Sequence, residues 1–410
     1  MKNDQLMLIP KYMHDFTCIG TQCEDTCCAG WKVAIDHKTY KKYKKLPNQP
    51  IKEKINQSIS RNRSNPSEGE YATIKMNEEG FCPMLDGDKL CTIHSTLGED
   101  YLSLVCKLYP RYINKVDTRL EMSATPSCPE AARLALLNPD VMEFDVIESP
   151  YPTMFKQEII TENNEEKLEN YFWELRFFTI GLLQMRKFSI QERLILLGLF
   201  YKKIQQAVDE NGLSKIPQII RETTDNLKDD GYYKETFAAI PSILDVQIKL
   251  VSTLIDVKVE QGIRSKRFAE CLEEFVKGLS DNNETEQTSA ERRARYKQSY
   301  EQYYRPYMEQ HEYILENYLV NYVFSKLFSF DKENKVFDSF VSLTLHYAMI
   351  KLLLIGIAGY HKKLTAEIVI KVIQSFAKEI EHSSFISFMH DILKENDYTS
   401  MGYMAVLIKN

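Results

Sequence analysis

Glycine is scarce and scattered, 15 in 410 residues, and none sits in a strand–glycine-loop–helix unit. That absence excludes a ligand turn of the dinucleotide type, where glycines let the backbone approach the bound group closely. Gly356 and Gly359 fall inside a helical pattern instead. There is no surplus of positive charge either: 52 Lys and Arg against 58 Asp and Glu give a net charge of −6. With a pI near 5.9, this composition speaks against a dedicated nucleic-acid binder. Internal repeats and low-complexity tracts are missing. The start, MKNDQLMLIPKYMHDF, lacks the basic residues, unbroken apolar core and small-residue cleavage site of a secretory leader. A cytoplasmic protein is therefore expected. The most apolar stretch, residues 337–360, is interrupted by His346 and Lys351 and has Asp338 near its start. A spanning helix needs about 20 predominantly apolar residues, so this stretch is expected to be a buried helix, with no membrane as partner.

What is abundant is cysteine, and only at one end. Eight of the nine lie in the first 128 residues, as Cys18-x4-Cys23-x3-Cys27-Cys28, then Cys82-x8-Cys91, Cys106 and Cys128; Cys271 stands apart. In a reducing compartment such crowding reads as metal binding rather than as disulfides. Zinc and iron–sulfur both remain open. Structural zinc favours paired cysteines two to four residues apart, whereas adjacent Cys27 and Cys28 suit thiolates facing different irons better than two ligands on one small ion. Cys82 and Cys128 each precede a proline, a feature of some ferredoxin ligand runs. The expected ligand pool is Cys18, Cys23, Cys27, Cys28, Cys82, Cys91, Cys106 and Cys128. His37 and His94 are alternatives that read more simply as surface histidines.

The pattern changes after the last clustered cysteine. Short possible strands at 32–35, 71–75 and 120–123 mix with loops, and residues 61–70 form a polar, turn-rich connection. Such a region has little core of its own, and a metal would supply folding energy. From about residue 165 the text is helical. Ser189-x-x-Glu192 and Thr288-x-x-Glu291 read as capping boxes. Ile314, Leu315, Tyr318, Leu319, Tyr322 and Val323 recur at helical spacing. Residues 280–288 are polar enough for a loop. The expected fold is mainly α: a small cysteine-rich α+β metal-binding head, residues 1–135, on a larger all-helical body, residues 136–410.

The residues around the cysteines carry a resemblance. The stretch CIGTQCEDTCCAGW from Cys18 to Trp31, then Ile35-Asp36 and Thr39-Tyr40, resembles the start of the flagellin lysine-N-methylase (FliB-type) family. So do Phe81-Cys82-Pro83 with Leu90-Cys91-Thr92-Ile93, Cys106-Lys-Leu-Tyr-Pro-Arg111, and Ser127-Cys128-Pro129-Glu130-Ala131-Ala132. Weaker similarity continues in Trp173-Glu-Leu-Arg176 and from Glu316 to Tyr322. The head is also similar to small domains thought to chelate zinc or iron. The resemblance implies an iron–sulfur protein, with a 4Fe-4S cluster foremost, that methylates flagellin lysines with S-adenosylmethionine as donor.

The residues alone leave the donor site open. Methyl transfer to lysine needs a neutral ε-amine in line with the methyl–sulfonium bond, so positioning and desolvation outweigh any dedicated base. The C-x3-C-x2-C pattern of radical enzymes is not met, because Gly30 stands where its third cysteine belongs. Polar residues within apolar helices are the fallback: Glu316, Asn317 and Asn321 for donor or lysine recognition, with a helix–helix hydrogen-bond network as the simpler reading. Glu174, Arg176, Arg186 and Arg193 in another helical block are further candidates, which structural ion pairs explain about as well. Two classes remain, a lysine methyltransferase and a non-catalytic metal-binding interaction module.

Overall fold

The computed structural model describes residues 6–30, 32–64, 66–148, 155–161, 167–229, 231–280, 289–330 and 335–409. Trp31, the Thr288 of the second capping box and the polar loop at 281–288 lie outside these residues.

The head is built on eight strands: β1 (Leu6–Pro10), β2 (Ala34–Ile35), β3 (Ile59–Arg61), β4 (Ala72–Ile74), β5 (Arg111–Val116), β6 (Arg119–Ala124), β7 (Phe144–Glu148) and β8 (Glu158–Ile159). A five-stranded sheet has the order β7-β1-β6-β5-β8, and a three-stranded sheet the order β2-β4-β3. The stretches expected at 32–35, 71–75 and 120–123 appear as β2, β4 and β6. The larger sheet grows from the β5–β6 hairpin, whose two-residue turn places Asp117 at φ 53, the left-handed region that aspartate tolerates. Asp117 also accepts the Thr161 amide at 2.7 Å, fixing the exit of β8. β1 pairs parallel to β6 and antiparallel to β7. Because β7 and β8 complete this sheet, the head draws on chain well beyond the boundary at 135 read from the sequence. β8, of two residues, lacks the apolar run that marked the stretch around β2, and β1 is recognisable only through its partners.

The body is helical, and its central helix, Val336–His361, is buried along most of its length. The apolar stretch is thus a core helix: 94% of its most apolar window is covered by protein. Lys351, the cation that interrupts it, donates to the carbonyls of Leu407 and Ile408 at 3.3 and 2.8 Å, capping the final helix where its dipole favours positive charge. The Ser189 capping box is present, with Ser189 N–H donating to the Glu192 carboxylate at 2.8 Å and Glu192 N–H to the serine hydroxyl at 3.3 Å.

Sheet and body are joined through polar contacts with little water access. On β6, buried Glu121 accepts from Arg176 at 2.7 and 2.8 Å. Asn114 on β5 donates to the Ser325 carbonyl at 2.8 Å. Helix Tyr313–Ser325 lies between, with side chains buried on every face, so its polar residues must find partners.

The body's tightest crossing depends on glycine. Helix Lys266–Leu279 meets the central helix where Gly278 faces Gly356, and a Cβ on Gly278 would overlap the Gly356 carbonyl. Backbone cannot retreat as a flexible side chain can. Gly278→Ala should therefore destabilise the fold by about 2 kcal/mol or more, read as a lower urea midpoint at unchanged slope, whereas Gly69→Ala, with nothing nearby, should leave it within about 0.5 kcal/mol.

Candidate active site

The eight clustered cysteines do not form one cage. Cys28, Cys82, Cys91 and Cys106 pack around a small core with Ile35, Tyr43 and Met84, and Cys27 adjoins them through Cys28, Sγ to Sγ at 3.8 Å. Cys128 packs against a different core, with Met13 and Phe16. The electrostatics divide in the same way. Burial first, then Cys91, Cys27 and Cys82, push the Cys106 thiol up to about 12. Burial first, then Cys23 and Cys18, push Cys128 up to about 12. So Cys27, Cys28, Cys82, Cys91 and Cys106 share one neighbourhood, and Cys18, Cys23 and Cys128 another. Cys27 and Cys28 lie within hydrogen-bond reach of each other, and either can donate. Their mutual hydrogen bond draws Cys27 down to about 7, helped by Lys378, and drives Cys28 up.

Among the described residues, no three His, Cys, Asp or Glu side chains converge as a finished ligand set. The chemistry of the first group nevertheless fits a thiophilic centre. Crowded thiols that oppose one another's ionisation, here ranging from buried Cys82 through half-buried Cys28, Cys91 and Cys106 to exposed Cys27, are relieved by a soft cation, which ligates them as thiolates. His37 is instead 3.2 Å from Glu68 and lies against the Tyr71 ring, and His94 is exposed. Cys271 lies apart in the body, 3.5 Å from the Ser375 hydroxyl.

Asn317 and Asn321 tie the body to the head, Glu316 joins helices within the body, and none of the three lines either cavity. Glu316 accepts from Arg186 at 2.8 Å and from Arg193 at 2.6 Å. Asn317 donates to the Asn138 carbonyl at 2.9 Å. Asn321 donates to the Ala124 carbonyl at 3.1 Å and accepts from the Tyr12 hydroxyl at 2.7 Å. Their role is the hydrogen-bond network, and the ligand-recognition role read from the sequence is corrected on this geometry. Arg176, Arg186 and Arg193 are ion-paired, as expected.

A cleft of about 480 Å³ opens where the head meets the body, and Cys27 lies on its wall. Its polar floor centres on Ser127. The Ser127 hydroxyl lies 3.1 Å from Tyr109 Oη, accepts from Thr125 Oγ1 at 3.2 Å, and lies 2.9 Å from His382 Nε2. A hydroxyl has one proton to give. With Thr125 donating, either Tyr109 Oη or His382 Nε2 can receive that proton, and the ring can receive it at Nε2 only when neutral. Burial, with Lys326, Lys156 and Lys378 also opposing a positive charge, pushes His382 down to about 4, in agreement. Five cations line the cleft, Lys32, Arg111, Lys156, Arg264 and Lys378, and no lining residue is acidic. Lys156 Nζ sits 4.0 Å over the Tyr112 ring, with Lys326 on the same ring. Although the residue as a whole is exposed, desolvation of its amine and then Lys326 bring that amine down to about 8. A second cavity, about 420 Å³, surrounds Asp338 and His390 and has no cysteine on its wall.

The sequence did not single out Lys156, Arg264 or His382. They lie far apart along the chain, and only the fold brings them to one cleft. Ser127 was at least inside a quoted motif, next to Cys128.

Residues 176–407, more than half of the chain, match the model of the FliB lysine N-methylase C-terminal domain. The chain belongs to the FliB lysine N-methylase family. Within 134 aligned residues it is 34% identical to a "Flagellar biosynthetic protein FliU" of Salmonella muenchen, covering 32% of this chain and 78% of that protein. The same length is 34% identical to proteins named "Lysine-N-methylase" from Salmonella choleraesuis and Salmonella typhimurium, and spans 33% of each. No solved structure matches the chain. The family match begins at Arg176, on the helix that grips β6, and includes the cleft residues Arg264, Lys378 and His382.

The floor of the cleft makes a measurable statement about charge. In a nuclear magnetic resonance titration, the His382 ring should keep its neutral chemical shift at pH 6 and begin to move only below pH 5, in line with its displacement to about 4. A midpoint near 6.5, the ordinary histidine value, would contradict the burial that holds this ring neutral.

Proposed function

We propose that this protein is an S-adenosylmethionine-dependent lysine N-methyltransferase acting on flagellin in the cytoplasm. In this reading the head folds around an iron–sulfur cluster, and the cleft receives donor and target lysine. The observation that carries it is the cleft itself, formed between thiol-bearing loops and family-matched helices and lined by five cations without an acid.

The chemistry is a displacement. The lysine nitrogen forms a bond to the methyl carbon as the carbon–sulfur bond breaks; S-adenosylhomocysteine leaves, and the amine's extra proton goes to solvent. Only the neutral amine has a lone pair to give. At pH 7, lowering its pKa from about 10.5 to about 8 raises the neutral fraction roughly a hundredfold or more. Lys156 reports that the cleft does this to an amine placed in it, and the donor's sulfonium would add another positive charge. A base with a pKa near neutrality is therefore unnecessary. His382, being neutral, keeps a proton acceptor on the floor without adding negative charge.

The residues to hold a cluster are Cys28, Cys82, Cys91 and Cys106, with Cys27 beside them. A bound cluster would neutralise their charge and fix the loops that form the cleft wall. It need not change oxidation state for a displacement.

Protein purified without oxygen should be brown, absorb broadly near about 400 nm and contain about four irons and four sulfides. Cys82→Ser and Cys106→Ser should each lower the iron content; a colourless protein with stoichiometric zinc would instead support the non-catalytic binding module. Incubated with donor and monomeric flagellin, it should add steps of about 14 Da to flagellin lysines, one covalent methyl each. The single-turnover rate should rise with pH and level off above about 8, since deprotonation creates the nucleophile. A rate still climbing at pH 10 would show that the cleft does not activate the amine.

A further inference from the structure

We propose that Arg264 is the anchor for the carboxylate of the methyl donor's amino-acid moiety. The proposal rests on the methyl-transfer reading above and names the residue that orients the donor in the cleft.

The first argument is charge. A cleft lined by five cations and no acid, in a chain of net charge −6, is a local inversion of the protein's own balance. Two of the five have counter-ions outside the lining: Lys32 pairs with Glu70, and Lys378 with Asp25 at 2.8 Å. Lys156 lies close to another cation, Lys326, around one tyrosine ring. An anionic group entering here gains attraction and relieves that repulsion.

The second argument is preorganisation. Arg264 leaves a short loop that is clamped from within. Buried Glu379 accepts the backbone N–H groups of Arg264 and Ser265 at 3.1 and 2.8 Å. The same carboxylate pairs with buried Lys258 at 2.7 Å, and Lys258 donates to the Gly262 carbonyl at 3.1 Å. A buried ion pair thus fixes the backbone of a residue whose own side chain is exposed on the cleft wall. An anchor held in this way loses little freedom when it binds. Its planar guanidinium offers two parallel N–H bonds, matching a carboxylate.

The third is position. A Cβ added at Gly30 would lie 3.8 Å from Arg264 Cβ, so the base of the arginine sits beside Gly30 across the head–body boundary, with both residues and Cys27 on the cleft wall. A donor held there by its carboxylate spans the boundary, as a molecule bridging the two walls must.

The test uses the full-length protein, purified without oxygen, and calorimetric binding of two probes. One is S-adenosyl-L-homocysteine; the other is the same molecule lacking its α-carboxylate. Removing the carboxylate should weaken binding to the wild type by about 10- to 100-fold, the range for a charge-assisted pair. Arg264→Gln should weaken the first probe by a similar factor and leave the second unchanged, and Arg264→Lys should fall between. Equal binding of both probes to the wild type overturns the proposal while the donor reading stands; the basic cleft would then serve an acidic residue near the target lysine. Equal weakening of both probes by Arg264→Gln also overturns it, showing a structural role. If neither probe binds the wild type, the methyl-transfer reading fails and the anchor with it. The wild-type comparison needs no variant to fold.

Discussion

Asp25 accepts Lys378 at 2.8 and 2.9 Å and Gln374 at 2.9 Å, and the rest of the candidate site depends on that grip. Lys378 also donates to the Thr26 carbonyl, and Gln374 to the Ser127 carbonyl at 2.8 Å. Two loops that bear cysteines are thereby tied to one short piece of the body. Lys378 and Asp25 are both largely buried, so removing either partner strands a charge away from water, at a cost of about 3 kcal/mol. Without this seam the head would keep its sheet, but the cleft would lose one wall.

The grip is possible because the helix Ala366–Phe376 does not continue regularly. It widens into a π turn, Ala377–Glu381, a distortion found frequently at functional sites. Successive side chains then diverge. Lys378 reaches Asp25, Glu379 clamps the Arg264 loop, Glu381 accepts the Tyr318 hydroxyl at 2.7 Å, and His382 meets Ser127. One turn thus connects thiol loop, cleft arginine, core tyrosine and polar floor. Fixing these groups relative to one another is the condition for a reaction governed by positioning.

Local physics made parts of this readable. The Ser189 cap, the long apolar helix and the strands near 34, 73 and 121 follow from short-range pattern, and the structure contains each of them. The crowding of cysteines marked the right end of the chain. It did not disclose that Cys128 faces away from Cys82 and Cys91, since that separation is set by which core each loop packs on. Buried polar residues misled for a related reason. Glu316 has its arginines 123 and 130 residues away, and no local pattern separates a carboxylate awaiting a ligand from one already paired. His382 gave no signal of its own, because a histidine's role depends on what the fold sets beside it.

The seam also spans nearly the whole chain. Asp25 and Lys378 are 353 residues apart, and such remote contacts form late because a long loop must close first. On a ribosome adding about 5 to 20 residues per second, the cysteine loops emerge roughly 20 to 70 s before Lys378 can reach them. For that interval the loops that bear Asp25 and Thr26 stand without the lysine that ties them to the body. The cleft closes over them only once the last helices arrive.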